Sequence, residues 1–263
     1  MFKEIFARPL TAERLFSFAR RIPAEIRRFV RQCVFKLQGR TRYRQSIPNE
    51  TLRTALQGHR QRPDIADHLT SLFFLASLSN AKLMVELGTR GGESTRALLS
   101  AAALNEAILL SVDIRDCGSL SLPHAHYWRF VQADDVVFGE SGFQQWCLRN
   151  SLAPNVDFLF VDTSHEYDHT RREIEVWSPY LSPNGMIVFH DTNMGEGIYG
   201  RLDGSVHSGW NNQRGVIRAI EEFLGCSYDE NTFFSDYRKG FVVKHDPHSN
   251  GLTVLIRQSA HES

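Results

Sequence analysis

Apolar residues recur at helical spacing across residues 10–37, where Ile22, Ile26, Phe29, Val30, Cys33, Val34 and Leu37 form one stripe. Arg21, Arg27, Arg28, Arg31 and Lys36 fall mostly on the other sides, so the segment reads as a basic amphipathic helix followed by a linker over 39–48. A second helical pattern covers 64–78, with Ile65, Leu69, Leu72, Phe73, Leu75 and Ala76 inward. After it the period changes. Short β-type runs at 83–87, 108–113, 127–132, 156–162 and 186–191 carry acids at or near their ends and alternate with helical stretches at 94–103, 141–150 and 168–181. Such alternation indicates parallel βαβ units, and a run such as Phe158-Leu159-Phe160-Val161 suits a sheet covered on both faces. Pro183-Asn184-Gly185 reads as a turn feeding the fifth strand. A helix at 215–224 precedes runs at 241–244 and 252–256, which close the sheet as a hairpin. The expected fold is a doubly wound, mostly parallel α/β sheet of seven strands at 49–263, preceded by a helical extension at 1–48.

Composition changes this picture little, since 42% hydrophobic and 23% charged residues are ordinary for a globular chain. The net charge is zero, but residues 1–44 hold twelve Lys/Arg against three Asp/Glu and the remainder nets −9. The basic helix is expected to pack over an acceptor site or against a second subunit, giving a homo-oligomer. Peripheral contact of 1–44 with an anionic membrane is the second reading. Nucleic acid is not expected as a partner, because no recognisable binding motif accompanies the arginines. Cys33, Cys117, Cys147 and Cys226 are scattered without a CxxC pair, which argues against a zinc cluster and fits a reducing, cytoplasmic setting. No run approaches the ~18 apolar residues of a membrane span.

Candidate chemistry gathers at the strand ends, where open α/β sheets bind ligands. Val85-Glu86-Leu87-Gly88-Thr89-Arg90-Gly91-Gly92-Glu93-Ser94 is a strand, a glycine turn and a helix start. Gly88 and Gly92 let backbone approach a ligand, and Ser94 is expected to cap a helix whose N-terminus favours a carboxylate. The spacing is ExGxxxGxS rather than the GxGxxG of dinucleotide folds. Asp113 ends the second strand and Ala133-Asp134 follow the third. Each acid alone could merely cap a helix or face solvent. The ordered series Glu86, Asp113, Asp134 and Asp162 resembles that of the class I S-adenosylmethionine-dependent methyltransferases over roughly residues 64–260, particularly the small-molecule O-methyltransferases. That resemblance implies a Rossmann-like methyltransferase sheet binding S-adenosylmethionine. Glu86, Gly88, Gly92 and Ser94 would form its first motif, Asp113 would accept the ribose hydroxyls, and Ala133 and Asp134 would hold the adenine amino group.

Val161-Asp162-Thr163-Ser164-His165 and Phe189-His190-Asp191-Thr192-Asn193 end the fourth and fifth strands. Asp162 and Asp191 on neighbouring strand ends suit a hard divalent cation such as magnesium. The pattern resembles the metal-dependent O-methyltransferases, in the branch with the macrolide-sugar O-methyltransferases and the cephalosporin hydroxylase-like proteins. There an acid is followed three residues later by a base, which implies that His165 is the catalytic base. This chain departs at the third ligand, where the resemblance leaves His190 or Thr192. Alternatively Asp162 bonds the cofactor's amino group and His190 supports a turn. His169, one helical turn beyond His165, reads as an exposed helix residue. The stretch 195–214, with His207, Trp210, Asn211, Asn212 and Arg214, is long for a loop and suits a lid over a hydroxylated acceptor such as a sugar.

The expected function is metal-assisted O-methylation of a hydroxyl on a small molecule or glycan. The alternative is a non-catalytic protein binding the cofactor or a partner through the same fold. Iron-dependent hydroxylation is disfavoured, since no facial pair of histidines and a carboxylate at usable spacing supports iron chemistry.

Overall fold

The computed structural model describes residues 64–195, 198–202 and 206–258. The basic helix expected at 10–37, the linker at 39–48 and the boundary between extension and domain lie outside them. In chain order the elements are α1 (Leu69–Leu78), β1 (Leu83–Leu87), α2 (Glu93–Asn105), β2 (Ile108–Asp113), β3 (Trp128–Gln132), α3 (Asp135–Ser141) and α4 (Phe143–Arg149). They continue as β4 (Val156–Val161), α5 (Tyr167–Trp177), β5 (Leu181–His190), β6 (Ile198–Gly200), β7 (Val206–Ser208), α6 (Gly215–Leu224), β8 (Phe234–Arg238), β9 (Phe241–Asp246) and β10 (Leu252–Arg257).

Eight strands form one sheet in the order β3-β2-β1-β4-β5-β10-β9-β8, and β6 pairs with β7 apart from it. The first five strands are parallel, while β10, β9 and β8 run antiparallel to their neighbours. The doubly wound, mostly parallel sheet is therefore present, with one strand more than expected. The extra strand is β8, an edge whose side chains are half-buried or exposed, so its sequence lacks a continuous apolar run.

Alternation along the strands divides the core. Leu83, Val85, Leu87, Leu159 and Val161 pack with Phe143, Trp177 and Ile217 on one face. Met84, Phe158 and Phe160 pack with α1 and α2 residues such as Leu72 and Leu98 on the other. Two local readings need correction. The helix expected at 141–150 is two helices meeting at Gly142, and the first begins six residues earlier because Asp134 caps it through Val137 N at 2.9 Å. Pro183 and Asn184 sit inside β5, where the register with β4 shifts between Val156 and Phe158, so the turn is an irregularity within one strand.

The chain steps from β1 outward to β2 and β3, then returns to β4 on the other side of β1. This reversal is the switch point, and the crevice beyond the carboxyl ends of β1 and β4 is where such sheets receive ligands.

Candidate active site

The glycine turn is locked against β4. A Cβ at Gly88, whose φ is +88°, would collide with the carbonyl oxygen of Asp162, so only glycine lets the turn close there. Asp113 holds the same turn from the β2 side. Its Oδ2 accepts from Thr89 N at 2.8 Å and Arg90 N at 3.0 Å, and its Oδ1 accepts from Arg115 N at 2.8 Å.

Glu86 points into the α2 face of the sheet and is fully enclosed. It accepts hydroxyl hydrogen bonds from Ser94 (2.6 Å), Thr95 (2.9 Å) and Ser111 (2.6 Å). Burial pushes its carboxyl up to about 7, against the downward pull of those three hydroxyls. Ser94 is thus spent on Glu86, and Gly92 occupies the N-cap of α2 without a side-chain cap, contrary to expectation. Ala133 is half-buried and Asp134 exposed beside it.

The ends of β4 and β5 converge. His165 Nε2 lies 3.0 Å from Asp191 Oδ2 and 3.9 Å from Asp162 Oδ1. His190 Nδ1 lies 3.2 Å from Asp191 Oδ1 and 3.4 Å from Asp162 Oδ1. His190 is 1% exposed and neither ring nitrogen makes a well-aligned hydrogen bond, so its approach to the carboxylates is electrostatic. Burial alone would lower the His190 pKa, but the Asp191 and Asp162 carboxylates hold it well above the ordinary imidazole range. Burial alone would raise Asp191, and the neighbouring imidazoles of His190 and His165 hold it below the ordinary carboxylate range instead. The two directions agree and describe an ion pair.

Backbone geometry fixes these groups. Asp191 and His165 both adopt left-handed conformations, with φ of 57° and 61°. A Cβ at Gly215 would collide with the His165 carbonyl oxygen, so the start of α6 buttresses that loop. Asn212 donates through Nδ2 to the Asp191 carbonyl at 3.2 Å.

Of the two candidates for a third ligand, Thr192 is turned toward His245, 3.5 Å away, whereas His190 faces both acids. The exclusion of a facial histidine pair also fails. His165 and His190 stand far apart along the chain, yet the fold brings both against Asp162 and Asp191. His169 is not simply exposed, because its Nε2 lies 3.1 Å from Asp135 Oδ1.

Among the described residues after β5, β6 and β7 pair antiparallel. Trp210 is half-exposed with its ring centroid 6.0 Å from that of His165. His207 stacks on Tyr199, and Arg214 pairs with Glu230 (2.7 Å) and Glu221 (2.9 Å), whereas Trp210 and Asn212 of that group meet the cluster, the first beside His165 and the second at the Asp191 carbonyl.

Residues 85–192 match a family model described as a methyltransferase domain, a span that includes every acid and imidazole of the cluster. A protein from Corynebacterium glutamicum shares the fold at a TM-score of 0.50 and 16% identity, covering 83% of this chain and 94% of its own. The O-methyltransferase TomG from Streptomyces achromogenes, solved in complex with SAM, matches at 0.50 and 17% identity over 86% and 96%. An uncharacterised protein of Sinorhizobium fredii is 41% identical over 46 residues, which is 18% of this chain and only 5% of that protein's length. The family match to a methyltransferase domain agrees with the resemblance read first from Glu86, Asp113, Asp134 and Asp162, and the solved structures share the fold. No described helix is long and apolar enough to cross a membrane.

Proposed function

We propose that the chain is an S-adenosylmethionine-dependent O-methyltransferase that uses a divalent cation, magnesium foremost, on a hydroxyl of a small molecule or sugar. The observation that carries this reading is the meeting of Asp162, His165, His190 and Asp191 beside the glycine turn. The residues fit both groups. Asp191 Oδ1 and His190 Nδ1 are buried without aligned partners, 3.2 Å apart, which suits two donors to one ion that would take the place of the proton His190 otherwise holds. Thr89 Oγ1, buried and unpartnered in the turn, suits a ligand in the crevice. Asp162, Asp191 and His190 would hold the cation. Asp113 would accept the ribose hydroxyls, and Ala133 with Asp134 would meet the adenine.

When bound, S-adenosylmethionine supplies the methyl group and the cation acidifies the acceptor hydroxyl. His165 handles the proton. Its Nε2 lies 3.0 Å from Asp191 Oδ2, so Nδ1 is the ring nitrogen left to receive the acceptor's proton. Trp210 gives the acceptor an aromatic wall beside that imidazole. The polar and aromatic surroundings support a hydroxylated acceptor.

Calorimetry with S-adenosylmethionine, followed by a methyl-transfer screen against sugars and phenols, tests the reading. Binding, turnover, reversible inhibition by EDTA and rescue by magnesium are expected, with Asp162→Ala and Asp191→Ala each inactive. Full turnover after exhaustive chelation would overturn the cation. Cofactor binding without transfer to any hydroxyl would favour the non-catalytic alternative.

A further inference from the structure

A second cluster of ligating side chains lies where α3 meets α5, and the proposed reaction makes no use of it. Asp135 opens α3, while His169 and Glu173 stand one turn apart on α5. His169 Nε2 is 3.1 Å from Asp135 Oδ1 and 3.6 Å from Glu173 Oε1. Asp135 and Glu173 are both more than nine-tenths buried. One oxygen of each carboxyl is spoken for, because Val136 N donates to Asp135 Oδ1 at 3.0 Å and Thr163 Oγ1 to Glu173 Oε1 at 2.7 Å. The other two, Asp135 Oδ2 and Glu173 Oε2, are buried and no described residue donates to them. The two carboxyl groups offer ligand atoms within 4.8 Å of each other. Two such carboxyls repel when both are ionised, which favours either a proton or a cation between them.

We propose that Asp135, His169 and Glu173 form a second divalent-cation site, of the mixed nitrogen and oxygen type that zinc favours. Ligand atoms of all three residues lie within 4.8 Å of one another. A tetrahedral ion with bonds of about 2.1 Å places its ligands about 3.4 Å apart; the imidazole nitrogen stands 3.1 Å and 3.6 Å from the hydrogen-bonded oxygens of the two carboxyls, so the three groups are set at that scale. His169 and Glu173 at i and i+4 project from one face of α5, which gives two ligands from a rigid element. The His169 side chain is 28% exposed, so the ion has a way in. The site would clamp α3 to α5 and fix the helix start that carries Asp134. Its competitor is a proton shared between the carboxyls.

Zinc content separates the two. The whole chain is stripped with a chelator, dialysed against micromolar zinc chloride, desalted and assayed for bound metal and melting temperature. His169→Ala and Glu173→Gln are each expected to hold one equivalent fewer than the parent and to lose the rise in melting temperature that zinc confers. Asp162→Asn is expected to keep one equivalent that vanishes when His169→Ala is added, which separates this site from the active-site cluster. His169 is partly exposed, so its replacement spares the fold if Glu173→Gln does not, as circular dichroism will show. Equal zinc in the parent and His169→Ala, or no zinc in a folded Asp162→Asn variant, would overturn the proposal in favour of the shared proton.

Discussion

The acids on the β1–β3 side of the crevice and those on the β4–β5 side differ in what satisfies them. Glu86 takes three hydroxyls, Asp113 takes three backbone amides, and Asp134 takes one amide at the head of α3. Across the crevice, Asp162 and Asp191 face imidazoles, and Asp191 Oδ1, both His190 nitrogens and Asn212 Oδ1 are buried without aligned partners. A buried polar atom left unmade costs about 1–3 kcal/mol, so several in one place are tolerated where binding or chemistry completes them. The first side is finished as protein, and the second holds buried polar atoms that the proposed ligands would complete. Thr89 Oγ1 is the exception on the first side, and it sits in the turn itself.

The largest expected effect falls on the unfinished side. His165→Ala should slow single-turnover methyl transfer by ~10²–10⁴-fold, the usual worth of a general base, with S-adenosylmethionine affinity by calorimetry near that of the parent. Asp113→Ala should do the reverse, weakening cofactor binding by about 1–3 kcal/mol through loss of a charged acceptor. A His165→Ala enzyme turning over at the parent rate would remove the base from this side and leave His190 or the cation alone to serve.

Glu86 tests the finished side by pH. Its carboxyl titrates near 4.5 when unfolded and is pushed up to about 7 by burial, so the native state binds the extra proton between those values. Stability contributed by this group is complete below about 4.5, declines as pH rises toward about 7, and is level above. The slope is at most about 1.4 kcal/mol per pH unit. Denaturant titrations across that window should show the decline in the parent and a flatter profile in Glu86→Gln. Parallel profiles would mean that the three hydroxyls hold Glu86 ionised, and that its enclosure is less dry than its burial implies.

Local chemistry made much of this legible in sequence. The strand bearing Glu86, the helix at 215–224 and the acids at strand ends declare themselves by apolar period and position. Three features do not. Strand β8 faces solvent on much of its surface and carries no apolar run. Helix α3 is seven residues long, too short for an apolar period to show, and the cap at Asp134 is one of the two readings its sequence leaves open. The Asp135–His169–Glu173 cluster joins residues 34 and more positions apart, and only the packing of α3 on α5 reveals it. His169 was read as exposed because helical spacing shows which residues share a face and not what covers it. The pairing of His165 with His190 has the same origin, since strand order rather than linear spacing makes them neighbours.

The smallest effect concerns whether one acid can belong to both sides. Asp134 commits one carboxylate oxygen to Val137 N, yet it is exposed, which leaves its second oxygen open to the adenine amino group in the proposed complex. Asp134→Ala should then cost about 1 kcal/mol of stability from the lost cap and, separately, about 1 kcal/mol of S-adenosylmethionine affinity from one hydrogen bond. Asp134→Asn keeps an oxygen that can cap and an oxygen geometry that can accept, so it should restore stability and recover most of the affinity. Thermal melts read the first quantity and calorimetry the second, on the same three proteins. If Asp134→Ala melts early but binds the cofactor as the parent does, the cap is the whole of its role. The division between the two sides would then be complete, with Asp113 as the acid of β1–β3 that also meets the ligand.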